Sequence, residues 1–176
     1  MPFHPSPSRA AGLLTRRRFA VLPVALGCVP WSAGRAATLP ASLSLLGELA
    51  SALREGKPLI VMASLAGCPF CKIVRDSYLE PLRRETGQPV VQLDMGSHGL
   101  VRDFDGARRS HDEVLRSWAV EVAPTVLFFG PNGREVAPRL AGASIPDFYG
   151  AYLDERLRIA RGRAGSSEHP STERSL

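Results

Sequence analysis

Acidic side chains are missing from the first 36 residues, whereas Arg9, Arg16, Arg17, Arg18 and Arg35 all fall there. Taking those five arginines from the 22 lysines and arginines leaves 17 basic residues against 17 acidic ones. The high overall pI therefore belongs to the N-terminal stretch, and the remainder is neutral, which removes the support for a nucleic-acid-binding reading. Cysteine is scarce too, with three in 176 residues. No second CxxC and no HxxxH accompanies the Cys68–Cys71 pair, and His98 and His111 stand apart, so a closed four-ligand zinc site has little to draw on. A long apolar run is also absent. Phe19 to Trp31 falls short of the roughly 20 residues a membrane-spanning helix needs and is broken by Pro23, Gly27 and Pro30, so stable membrane insertion is not expected.

What the N-terminus does carry is an address. Arg16 and Arg17 precede Phe19 by a short step, the apolar run Ala20 to Val29 follows, and Gly34-Arg35-Ala36 offers small residues where a signal peptidase inspects them. Residues 1–36 resemble a twin-arginine export signal, which implies a periplasmic protein beginning near Ala37. Leu26-Gly27-Cys28 is an alternative lipidation site, with leucine one place too close to the cysteine for the usual pattern. If Cys28 leaves with the leader, one CxxC pair remains and no spare thiol, a sensible composition for a redox protein in an oxidising compartment.

The chain is organised around Cys68-Pro69-Phe70-Cys71, which follows the apolar run Leu59 to Ala63 and precedes the helix-compatible run Lys72 to Leu79. A helix beginning at Pro69 uses proline where its missing N–H costs nothing and makes Cys68 the N-cap. The sulfur then faces unpaired amide donors and the positive end of the helix dipole, both of which favour thiolate. Cys71 lies one turn on, within reach of a short disulfide. Cys68 is thus the expected nucleophile and Cys71 the expected resolving thiol of a redox pair, with a structural bridge or a metal half-site as alternatives.

Elsewhere, Leu39, Leu43, Leu46, Leu49 and Leu53 recur at helical spacing up to Gly56. Leu59 to Ala63 suits a central strand covered on both faces. Pro81 should kink or restart the helix after the motif, and Val90 to Leu93 completes a β-α-β unit expected to be parallel and right-handed. Gly96 to Arg109 shows neither period and is expected to be a long loop. Ser110 and Glu113 form a capping box ahead of a helix bearing Val114, Leu115 and a core Trp118. Val126 to Phe129 and Arg134 to Leu140 read as an antiparallel pair joined at Gly130-Pro131-Asn132-Gly133, with Pro138 marking an edge. Ser144 and Pro146 open a last helix, and from Arg161 to residue 176 a disordered tail is expected after a domain spanning 37–160.

Helix, strand, CxxC helix, strand, helix, strand, strand, helix is an α/β order that resembles the thioredoxin fold, a central mixed sheet with helices on both faces. The resemblance covers roughly Ala41 to Ala160, and its informative motifs are Cys68-Pro69-Phe70-Cys71 and Val122-Ala123-Pro124-Thr125. It implies a cis peptide before Pro124, lying against the redox pair, and substrate contacts from Pro69, Phe70, Ala123, Pro124 and Thr125, with the Ala123 backbone free to pair with an extended chain. Gly67 stands where thioredoxins proper carry tryptophan, and Met62 where they carry a buried aspartate, so the usual internal proton acceptor for the second thiol is missing. Pro-Phe between the cysteines is closer to the Pro-Tyr of glutaredoxins, and among exported relatives the chain is similar to thioredoxin-like proteins of sulfur-oxidation clusters.

The expected activity is cofactor-free thiol:disulfide exchange with protein substrates, running as a reductant and served by a membrane or periplasmic redox partner. A rival from another class is a thioredoxin-fold module whose CxxC holds Cu(I) for delivery, although no methionine or histidine adjoins the motif.

Overall fold

The computed structural model of the chain describes residues 38–143 and 146–165. The expectations for the export signal, for Cys28, for Ser144 and for most of the C-terminal tail lie outside these residues. Among the described residues no helix is long and apolar enough to cross a membrane.

Four strands make the central sheet in the order β2-β1-β5-β6: β1 is Leu59–Ser64, β2 Val90–Asp94, β5 Thr125–Gly130 and β6 Arg134–Ala141. β1 runs parallel to β2 and antiparallel to β5, and β5 antiparallel to β6, so the sheet is mixed. Every residue of β1 and β5 is buried, which is what their continuous apolar runs demand of central strands covered on both sides. Pro138 lies on the edge strand, where register shifts between Val126 and Phe129 absorb its missing N–H.

Strand alternation divides the core in two. Ile60 and Met62 pack on one face with Cys71, Val74 and Leu79 and with Tyr149, Leu153 and Leu157. Leu59, Val61 and Ala63 pack on the other with Leu45, Leu49, Val114 and Leu115. The first face is covered by α2 (Pro69–Val74) and α5 (Pro146–Ala164), the second by α1 (Leu45–Arg54) and α4 (His111–Ser117).

Three departures from the sequence expectations have physical causes. The first helix starts at Leu45, not Leu39: Ser44 is its N-cap, and Pro40 to Ser44 is drawn into extended pairing, with Gln92 N–H donating to Pro40 O and Ser42 N–H to Gln92 O at 2.9 Å each. Gly96 to Arg109 is not a structureless loop, because β3 (Leu100–Arg102) and β4 (Arg108–Ser110) pair antiparallel within it. Phe104 anchors that hairpin, its ring 4.7 Å from Phe129 and 5.7 Å from Trp118, and Gly133 must be glycine here since a Cβ would stand 2.7 Å from the Phe104 ring. The last helix runs to Ala164, past the expected domain end at 160, because Ala160 and Ala164 are buried on one helical face.

The helix after the motif deals with Pro81 without breaking. α2 passes into a π-helical turn, Arg75–Leu79, and then into α3 (Glu80–Thr86), whose first turn accommodates the proline. Ser110 and Glu113 form the expected capping box at α4, each side chain bonding the other's backbone N–H.

Candidate active site

The redox pair sits where β1 ends and α2 begins. Gly67 adopts φ +73, a conformation that favours glycine, and delivers the chain to Cys68. Cys68 is the N-cap of α2, Pro69 opens the helix, and the Cys71 N–H donates to Cys68 Sγ at 3.1 Å. Cys68 is partly exposed and Cys71 is buried at 1% exposure. Burial pushes the Cys71 thiol above its ordinary range and a hydrogen bond with the Cys68 sulfur adds to that, while the Leu65 backbone and the Ser64 side chain bond it in the opposing sense.

The Ala123–Pro124 peptide is cis. Its loop lies against the pair, with Cys68 Sγ 3.9 Å from the Ala123 carbonyl oxygen. The Gly142 N–H donates to Pro124 O at 2.7 Å, so the end of β6 buttresses the loop. Phe70, Ala123, Pro124, Gly142 and Ala143 line a small hollow beside Cys68. Phe70 is 52% exposed and Val122 49%, giving an apolar rim on which an extended chain could lie. Pro69 is exposed and Pro124 buried. Thr125 is turned inward, its hydroxyl donating to Val122 O at 2.8 Å, so its side chain holds the loop and does not face the surface.

On the side away from that loop, Cys68 and Cys71 open onto a polar cavity of about 450 Å³. Ser64, Lys72, Arg75, Gln92 and Asp94 contribute to its wall. Lys72 and Arg75 both pair with Asp76. Burial alone would raise the Asp76 carboxyl, but bonds from these two cations outweigh it and hold the group below the usual carboxylate range. Asp94 is fixed twice: its carboxylate accepts from Gln92 Nε2 at 2.7 Å, and its N–H donates to His111 Nδ1 at 3.2 Å. Met62, in the place of the thioredoxin aspartate, is fully buried among apolar side chains.

Sequence reasoning did not bring Ser64, Gln92 or Asp94 to the site. Alternation along β1 was a usable signal for Ser64, which must share the Met62 face. Gln92 and Asp94 depend on the register of the parallel pair, Met62 opposite Gln92 and Ser64 opposite Asp94, which one strand does not reveal. Among the described residues no group of three or more histidine, cysteine, aspartate or glutamate side chains is gathered so as to hold a metal ion.

A family model described as a thioredoxin-like domain matches residues 47–156. Similar solved structures include a thioredoxin h from poplar, 23% identical over 62% of this chain and 85% of its own with a TM-score of 0.42. A thioredoxin from Thermus thermophilus is 20% identical over 79% of this chain and 100% of its own, with a TM-score of 0.47. A thioredoxin-fold protein from Helicobacter pylori is 17% identical over 62% and 83%, with a TM-score of 0.41. No curated protein matches the chain.

Proposed function

The chain belongs to the thioredoxin-like family, and from that premise we propose that it is an exported thiol:disulfide oxidoreductase that reduces protein disulfides in the periplasm. One observation carries the reading: a partly exposed sulfur at a helix start, bonded by the amide of a buried cysteine one turn on. The Cys68 thiolate attacks a substrate disulfide, forming a mixed disulfide and releasing one substrate sulfur. Cys71 then attacks Cys68 Sγ, the Cys68–substrate bond breaks, and the electron pair leaves on the second substrate sulfur. Two protein thiols are oxidised as one substrate disulfide is reduced, and a membrane or periplasmic dithiol partner restores the pair.

Reduction is the proposed direction, and it is set by the reduction potential of the pair relative to its partners. Phe70, Ala123, Pro124 and the backbone at Thr125 are the proposed substrate contacts, with Pro69 setting the helix start.

The test is trapping in cells from the full chain with its leader. Cys71→Ser should accumulate mixed disulfides in the periplasmic fraction that vanish on reduction, and Cys68→Ser should trap none. Replacing Arg16 and Arg17 by lysine should keep the trapped complexes from appearing there. Equal trapping by both cysteine variants would overturn the assignment of roles, and unchanged periplasmic trapping by the lysine variant would overturn the route of export.

A further inference from the structure

Release of substrate requires Cys71 to lose a proton while almost wholly buried, 1% exposed, in a core whose nearest counterpart on β1, Met62, offers no base. Cys71 nevertheless forms part of the wall of the polar cavity described above, and among the described residues the carboxylate in that wall is Asp94. The parallel register sets Ser64 and Asp94 side by side at the ends of β1 and β2, and strand alternation puts both on the Met62 face, the face against which Cys71 packs. Ser64 is buried beside Cys71 in the cavity wall. At about 450 Å³ the cavity has room for several waters, each occupying roughly 30 Å³ of liquid.

We propose that Asp94 is the proton acceptor for Cys71, reached through water in this cavity. This rests on the disulfide-exchange reading above. In the resolving step the Cys71 S–H proton passes by way of a water to the Asp94 carboxylate and on to solvent. The sulfur's freed electron pair forms the bond to Cys68 Sγ, and the pair of the broken Cys68–substrate bond leaves on the substrate sulfur.

The other charged and titratable groups nearby are already engaged. From α2 and its π-turn, Lys72 and Arg75 are paired with Asp76, and Arg75 also approaches Gln92 Oε1 at 3.5 Å. From α4, His111 accepts from the Asp94 N–H at Nδ1 and lies 3.3 Å from Ser42 O at Nε2, while Asp112 accepts from Gly96 N–H and pairs with Arg116. From α5, Tyr149 is a buried phenol whose proton is held on by burial first and by the neighbouring Tyr78 and Cys71, so it is no base at neutral pH. Among the described residues, the Asp94 carboxylate is bonded by the neutral Gln92 amide and by no cation.

The experiment uses the purified, reduced protein and a dithiobis-nitrobenzoate. The first coloured thiolate released reports Cys68 attack, and the second reports closure by Cys71. Asp94→Asn should leave the first phase at the wild-type rate and slow the second roughly a hundredfold near pH 7, the low end of what a positioned base contributes. The deficit should shrink as pH rises, since hydroxide then takes the proton. Asp94→Glu should recover part of the second phase, and Asp94→Ser, should the asparagine variant fold poorly, should repeat its behaviour. Equal second phases in wild type, Asp94→Asn and Asp94→Ser at every pH would overturn the role of Asp94 alone. A loss independent of pH and shared by both phases would make Asp94 merely structural, and a wild type that releases only one equivalent would overturn the exchange reading itself.

Discussion

On one face of the sheet, Phe129 sits with its ring 4.7 Å from both Phe104 and Trp118, and those rings stack on each other at 5.7 Å. On the other face, Met62 and Val126 share their layer with a thiol, and the buried Tyr149 hydroxyl has no hydrogen-bond partner among the described residues. One face is closed around Phe129 by aromatic packing, although a groove of about 430 Å³ opens beside Phe104 and the α1 leucines. The other is interrupted by the polar cavity and by the Pro124 loop, where Cys68 meets solvent. Because both faces are alternate side chains of the same strands, the closed face can hold β1 and β5 rigid while the reactive face leaves polar groups and openings that a purely structural core would fill.

The largest expected effect tests that division directly. Phe129→Ala removes the centre of the aromatic cluster, 2% exposed, and should cost about 3–5 kcal/mol, a large share of a small domain's stability. The folded fraction should still be alkylated at Cys68 before Cys71. Denaturant titration gives the first quantity and mass spectrometry after brief alkylation the second. A loss under about 1 kcal/mol would show that the face is less closed than its geometry implies, and reversed labelling would show that the two faces are not separable.

A smaller effect belongs to α4, which the hairpin delivers to the closed face. Ser110→Ala removes the side-chain acceptor for Glu113 N–H, 3.2 Å away, and should cost about 1 kcal/mol by melting, with the two phases of disulfide exchange unchanged. Glu113 is held below its ordinary carboxyl range first by the Ser110 backbone and then by its side chain. Its contribution is therefore present above the unfolded pKa and fades as pH falls through the lower folded value. A stability loss from Ser110→Ala that grew in acid would contradict that link.

The closed and reactive faces were not equally legible in sequence. Ser110 and Glu113, the proline after Cys68, and the apolar runs of β1 and β5 declare themselves because each signal is local: a cap, a φ restriction, a strand period. The β3–β4 hairpin does not, since its strands are three residues long and rich in arginine, and what orders it is Phe104 reaching across to Phe129, 25 positions away. The leucines from 39 to 43 fit a helix by spacing, yet backbone pairing with Gln92 on β2 overrides it. That Cys68, Cys71 and the Pro124 loop come together was legible. The polar wall was not, because Asp94 meets the pair only through the β1–β2 register.

The smallest expected effect lies on the reactive face, at the ion pairs that flank its cavity. Asp76 is reached by Lys72 one helical turn before it and by Arg75 Nε at 3.1 Å, and its side chain remains 24% exposed. Solvent screens such pairs, so Asp76→Asn should destabilise the protein by less than about 1 kcal/mol near neutral pH, and by less again in high salt. Burial opposes ionisation of Asp76, but the two cations prevail and its folded carboxyl titrates below the usual range. The charged form is thus the stabilising one. Its contribution is complete above the unfolded value of about 3.9 and is lost as pH falls through the folded value below that. The stability difference between wild type and Asp76→Asn, followed by melting from neutral to acid pH, should therefore close towards zero. A difference that widened in acid would mean that Asp76 acts as a neutral hydrogen-bonding group, and that Lys72 and Arg75 are left with uncompensated charge beside the cysteines.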